Sequence, residues 1–444
     1  MRKLIAVCCA LVLALGAGAV YYLQAPTDAA LREMARENPV NPRPSVALWG
    51  SPSLLGEMVQ AQKAQGRTVG FLLGSSELSY GVEDSAHPVR FFSENDLGFE
   101  LVSMGGGGYQ SLWGAIEVSA LDECEALPEK KVVFLIGDQW FMDEAGCTPE
   151  AFMNSFSEEA FRECMENPEL TAETKAQIRE RVIALGADAQ TVGDLTDDSV
   201  VAWANRAIAD FVSGGERRAL LAEGLAANGP FERDGSSSVE PDWDALDRQA
   251  VAEGEAACTN NDYGIYDDYF DTYVSDVAWG QPYEGEPFSG WSETEFSDLR
   301  LFLTVCGELD ITPLLVIEPV NGEYYDIHRY TKESRAEFYD KLRQVLDEAE
   351  VDYVDLSMHD YDKYYLRDVM HLGWRSWVEV DRALYEFYGA RGNAGADGNN
   401  DESSPRSDGG GETSAERDAE TAADEMLEVE GAGEEVVKDW GAAS

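Results

Sequence analysis

The sequence predicts an α/β protein, with a mostly parallel central sheet covered by helices on both faces. Two observations carry the prediction. Four short apolar runs recur: "TVGFLLG" (68–74), "FELVSMGGGG" (99–108), "KKVVFLIG" (130–137) and "ITPLLVIEPV" (311–320), with a weaker fifth, "VDYVDLS" (351–357). Runs of this length, rich in Val, Ile, Leu and Phe, match strands buried on both faces. Amphipathic stretches alternate with them, most clearly at 332–350 and 374–389. Such alternation implies crossover helices packed on a parallel sheet. With 444 residues, 44% of them hydrophobic, the chain can bury a large core.

The elements follow in order. Arg2 and Lys3 precede an uncharged run from Leu4 to Leu23. Twenty such residues just span a bilayer, and the flanking bases favour a cytoplasmic N-terminus. The expectation is a short cytoplasmic end (1–3) and a transmembrane signal anchor (4–23). The small residues Ala17-Gly18-Ala19 keep a cleaved signal peptide as the alternative. Residues 24–66 read as a stalk and lead-in helix, punctuated by Pro26, Pro39, Pro42 and Pro44. Residues 67–389 form the main α/β domain. Within it, about 142–300 reads as a helical, acidic insertion. Its aromatic stretch "YGIYDDYFDTYVSDVAWGQPY" (263–283) suits either a partner surface or a hydrophobic core. Residues 390–444 are rich in Gly, Ala and acid, the composition of a disordered tail.

A net charge of -52 excludes nucleic acid as a partner bound through bulk charge. Cys124, Cys147, Cys164, Cys258 and Cys306 show neither CxxC nor metal-ligand spacing, so no metal and no cofactor is expected.

The chemistry-bearing residues gather at strand ends, where ligands bind in α/β sheets. Ser76 follows the first run in "LLGSSEL", as a nucleophile or as an N-cap, with Ser75 beside it. A serine nucleophile needs a base. Of four histidines, His371 in "RDVMHLGW" has Asp368 three residues earlier, close enough to orient its ring. His359, among Asp355, Asp360 and Asp362, is the second choice. Asp368 has two other roles open to it, as a helix cap or as a partner of Arg367. Donors for an oxyanion are the Ser76 N–H, the glycine cluster 105–108 and the amide of Gln139 in "GDQWF".

With these motifs in order, the chain resembles the SGNH/GDSL hydrolase superfamily, and more narrowly the DltD family of teichoic-acid D-alanyl transfer proteins. The resemblance rests on the apolar N-terminus, "GSSEL" (74–78), "GGYQSL" (107–112), "QWF" (139–141), "PVNGEYYD" (319–326) and "HLGW" (371–374). It implies an SGNH-hydrolase-like three-layer fold with a helical insertion and an N-terminal transmembrane helix. It also implies a single-pass cell-membrane protein with an extracellular catalytic domain. Carried over, Ser76 is the nucleophile, His371 the base and Asp368 its orienter, while Ser76, Gly107 and Gln139 serve the oxyanion. The implied partners are a membrane O-acyltransferase, a cytoplasmic D-alanyl carrier protein acting indirectly, and the teichoic acid polymer. The implied activity is serine-dependent O-acyl transfer through an acyl-enzyme. A D-alanyl esterase or thioesterase of the same fold, and a non-catalytic scaffold for the acyltransferase, remain alternatives.

Overall fold

All four strong apolar runs form parallel strands, and the weak fifth run adds a short edge strand. The computed structural model describes residues 22–74, 76–228 and 240–389. The strands are β1 (Thr68–Gly74), β2 (Phe99–Gly105), β3 (Lys131–Ile136), β4 (Thr312–Ile317) and β5 (Asp352–Asp355). They pair in the order β2-β1-β3-β4-β5, all parallel. The chain leaves β1 in one direction to reach β2 and in the other to reach β3. This reversal makes the carboxyl ends of β1 and β3 a topological switch point, the place where such sheets bind ligands.

Strand alternation feeds two cores. Phe71, Leu73, Val102, Met104, Phe134, Ile136, Leu315 and Ile317 face one side. Leu72, Phe99, Leu101, Val133, Leu135, Leu314 and Val316 face the other. Helices cover both sides because each brings an apolar stripe to the sheet. On the first side lie α1 (Pro52–Ala64), α2 (Ser111–Glu123), α3 (Glu158–Glu166), then α5 (Glu293–Glu308) and α6 (Lys332–Glu348). On the second lie α4 (Trp243–Ala257) and α7 (Trp374–Tyr388), together with the short helix Pro88–Glu94. Tyr388 of α7 ties that layer to β1, donating to the Phe71 carbonyl (2.7 Å) and accepting from the Phe71 N–H (3.1 Å). Gly70 leaves room for the same ring, since a Cβ there would lie 2.6 Å from Tyr388 Cδ2.

Among the described residues between β3 and α5, the regular elements are all helices. The aromatic stretch 263–283 largely packs on itself and on the first core. Tyr263 stacks on Trp279 with centroids 3.8 Å apart, and Ile265 and Tyr269 are buried. Cys124, Cys147, Cys164, Cys258 and Cys306 are free thiols. The expected anchor lies outside the described residues except for Tyr22 and Leu23, and the acidic tail lies wholly outside them. Among the described residues no helix is long and apolar enough to cross a membrane.

Candidate active site

Ser76 begins the 3₁₀ turn Ser76–Ser79 directly after β1. The turn is pinned from below. Glu77 and Leu78 are buried, and Ser79 Oγ donates to the Gly105 carbonyl at the end of β2 (3.2 Å). Buried His87 accepts from the Val89 N–H through Nδ1 (3.2 Å), which assigns its proton to Nε2, facing the Glu77 carbonyl at 3.4 Å. Burial, reinforced by the charges of Arg43 and Arg367, pushes the His87 pKa down to about 3. It is a neutral strut that holds the turn in place.

His371 comes from the loop before α7. Leu366 and Leu372 bridge across that loop, and Gly373 lets it close, because a Cβ there would lie 2.7 Å from the Arg367 nitrogen. Asp368 Oδ1 accepts from the N–H groups of Met370 and His371, both at 2.8 Å. Its Oδ2 lies 2.7 Å from His371 Nδ1, and His371 Nε2 lies 3.0 Å from Ser76 Oγ. Ser76 and the Asp368–His371 pair, separated by most of the domain in sequence, thus form one hydrogen-bonded line. Asp368 caps no helix, since Gly373 is the N-cap of α7. Nor does it pair with Arg367, which bonds buried Asp84 (2.6 Å).

The electrostatics follow from this geometry. Burial favours protonated Asp368, but the charge and hydrogen bond of His371 and two backbone N–H bonds outweigh it and hold the carboxyl below its usual range. Burial would lower the His371 pKa. The charge and hydrogen bond of Asp368, with the charge of Glu77, win and push it up to about 9. Tyr80 lies against the imidazole, ring centroids 4.7 Å apart, and limits its rotation. A hydroxyl, an imidazole and a buried carboxylate in this line can pass a proton from the hydroxyl and stabilise the resulting imidazolium.

The remaining sequence candidates fall nearby or elsewhere. Gln139, on the 3₁₀ turn after β3, donates an amide hydrogen to Glu77 Oε1 (3.1 Å), so it is tied to the residue following Ser76. Gly107 is exposed beyond β2, where a side chain would meet nothing within 4 Å. The glycine that this loop requires is Gly108, with φ of +84° and Ala151 Cβ 2.7 Å from where its own Cβ would be. His359 bonds Asp362 (2.8 Å) and stacks on Tyr365 (3.8 Å), away from Ser76 in its contacts. His328 Nδ1 faces the Tyr324 carbonyl (2.8 Å).

Sequence reasoning missed a buried acid group beneath the serine. Glu77, Asp138 and Glu318 follow β1, β3 and β4, and each is almost fully buried. Burial, then the charge and hydrogen bond of Glu77, holds Glu318 well above the ordinary carboxyl range. Burial and the charge of Asp360 push Asp138 up to about 8. Glu318 is thus held as a neutral acid beside Glu77. The signal lay in view: an acid stands within three residues of each of three apolar runs.

Comparison with known proteins places the chain in a family. A family model described as DltD protein matches residues 49–389. "Protein DltD" of Bacillus subtilis (strain 168) is 26% identical over 360 residues, covering 76% of this chain and 87% of that protein. "Protein DltD" of Staphylococcus aureus (strain NCTC 8325 / PS 47) is 24% identical over 348 residues, covering 74% and 84%. "Protein DltD" of Lacticaseibacillus rhamnosus is 24% identical over 373 residues, covering 80% and 85%. With the match extending from before β1 to the end of α7, the chain belongs to the DltD family, cell-envelope proteins involved in the D-alanylation of teichoic acid.

Proposed function

We propose that Ser76, His371 and Asp368 form the catalytic triad of an SGNH-hydrolase-like D-alanyl transferase. The observation that carries this reading is the line Ser76 Oγ–His371 Nε2 (3.0 Å) and His371 Nδ1–Asp368 Oδ2 (2.7 Å) at the sheet's switch point. Ser76 Oγ attacks the carbonyl of a D-alanyl ester or thioester while its proton moves to His371 Nε2. The oxyanion is met by the Ser76 N–H, with Gly107 and Gln139 as further donors. Collapse expels the alcohol or thiol, which takes the proton from His371, and leaves D-alanyl-Ser76. A polyol hydroxyl of teichoic acid then attacks this ester. His371 accepts that hydroxyl's proton and returns it to Ser76 Oγ. The net change moves one acyl group between oxygens, or from sulfur to oxygen, and consumes no proton.

The protein acts outside the membrane on a single N-terminal anchor. It works with a membrane O-acyltransferase that receives D-alanine from a cytoplasmic carrier protein. The test is surface D-alanine ester in cells carrying Ser76→Ala. The expected result is loss of the ester; an unchanged ester content would sink the reading. Purified chain given a D-alanyl thioester with and without a polyol-phosphate acceptor separates transfer from hydrolysis. New ester on the polymer identifies a transferase, and free D-alanine at the same rate in both tubes identifies an esterase.

A further inference from the structure

We propose that the outward face of the helical segment 200–214 lies on the lipid surface as a second membrane contact beside the N-terminal run. The segment comprises the helix Val200–Ala209 and a π-helical turn, Asp210–Gly214, that leads into Gly215–Ala227. Val200, Val201, Trp203, Ile208, Phe211 and Val212 are all exposed, Trp203 by 63% and Val212 by 76%. At about 100° per residue they occupy one broad arc. The opposite arc is the one that holds the segment to the protein. Ala202 is buried, Asn205 donates to Asp194 (2.8 Å), and Arg206 donates to the Asp197 carbonyl (2.8 Å). The usual polarity of a surface helix is reversed: polar groups bond inward and large apolar groups point out. A contiguous patch of this kind marks an interaction surface.

The occupant is indicated by where the N-terminal run meets the fold. Tyr22 and Leu23 end the uncharged stretch from Leu4, which is long enough to span a bilayer. The Tyr22 hydroxyl donates to Asp210 Oδ2 (2.8 Å), and its ring contacts Phe211 (5.6 Å) and lies under the Arg218 guanidinium (4.4 Å). Leu23 beside it is 80% exposed. A run that enters lipid at Leu4–Leu23 therefore delivers this apolar arc to the same boundary. Trp203 and Tyr22 are of the types enriched there. The chain is strongly acidic, so the contact is driven by apolar burial rather than by attraction to anionic headgroups. The inference goes beyond the proposed transfer chemistry, but it shares with that reading the assignment of residues 4–23 as an anchor.

The experiment uses the full chain in vesicles of phosphatidylcholine and phosphatidylglycerol, with ordinary or brominated acyl chains. Subtracting the fluorescence of Trp203→Phe from that of the native chain isolates Trp203. The expected difference spectrum is blue-shifted and several-fold weaker in brominated lipid, equally at 0.1 M and 1 M NaCl. Native chain that floats with the vesicles while Trp203 is unquenched overturns the lipid contact. If Trp203 is then also shielded, a second copy or residues 4–21 cover the face instead. Native chain that does not float overturns anchor and face together. Ser76→Ala is expected to leave the quenching unchanged, so failure of the transfer chemistry reads separately.

Discussion

At the residue scale, the proposed site is one hydroxyl whose fate depends on three neighbours. Ser76→Ala is expected to lower D-alanyl transfer by roughly 10⁴-fold or more, with folding unaffected, as measured by kcat on purified chain. Asp368→Asn is expected to cost about 10⁴-fold, because an amide no longer fixes the imidazole tautomer. The pH profile tests the same geometry. As the proposed base, His371 must be unprotonated, and its pKa is pushed up to about 9. The rate is therefore expected to rise about tenfold per pH unit up to that point and then level. Glu77 follows Ser76 in the same turn and its charge also lifts His371. Glu77→Gln is expected to move the rising limb to lower pH while retaining the bond from Gln139. A limb that stays in place would remove Glu77 from this role.

The hydrogen-bonded line of Ser76, His371 and Asp368 was legible at this scale because each residue stands at the end of an apolar run or in a short motif. Burial was not. His87 reads as a polar loop residue beside Pro88, and only packing against Trp377, ring centroids 4.7 Å apart, shows it as a buried strut. Nothing in the local pattern marks Asp138 and Glu318 as buried acids; their burial comes from the packing of the strands they follow.

At the element scale, strands were read to within a few residues, since a parallel strand buried on both faces is continuously apolar. β5 was the weakest because it is an edge strand of four residues with aspartate at both ends, paired to β4 alone. Close helix packing gives a test whose sign differs from helix propensity. Gly56 in α1 faces the Cys124 carbonyl just past α2, and a Cβ there would overlap that oxygen. Gly307 in α5 has nothing within 4 Å of its Cβ position. Propensity alone favours alanine at both sites by about 1 kcal/mol. Gly307→Ala is expected to stabilise by roughly 0.5–1 kcal/mol. Gly56→Ala is expected to destabilise by about 1–3 kcal/mol, because two helices must move apart. Urea midpoints of the two variants check both signs.

At the scale of the whole molecule, acidity sets the pH dependence of stability. Burial, then the charge of Glu159, pushes Glu117 up to about 8. Burial, then Asp298, pushes Glu295 up to about 7. Asp138 stands at about 8. Each is protonated in the native fold at a pH where the unfolded chain has released its proton. Their contribution is complete below the ordinary carboxyl range and is lost as pH rises through these values. His371, raised to about 9, acts in the same direction. His87 opposes them below about pH 6.5, because the unfolded chain then binds a proton that the buried ring refuses. The thermal midpoint is therefore expected to rise as pH falls from about 8.5 to about 6.5. A midpoint that climbs from pH 6.5 to 8.5 would contradict the sign.

What the sequence determined by itself is the set of local facts: five strand positions, the flanking helices, a serine after β1 and an Asp-x-x-His before the last helix. These depend on periodicity and spacing, which are short-range. The tertiary structure decided what depends on distance. It chose His371 over His359 as the partner of Ser76 and gave Asp368 to that histidine rather than to Arg367. It also packed Tyr263, Tyr269 and Trp279 of the aromatic stretch against the protein while turning Val200, Trp203 and Val212 outward. Burial and long-range pairing are properties of the packed chain, and no local pattern encodes which of two chemically equivalent residues the topology brings to the end of β1.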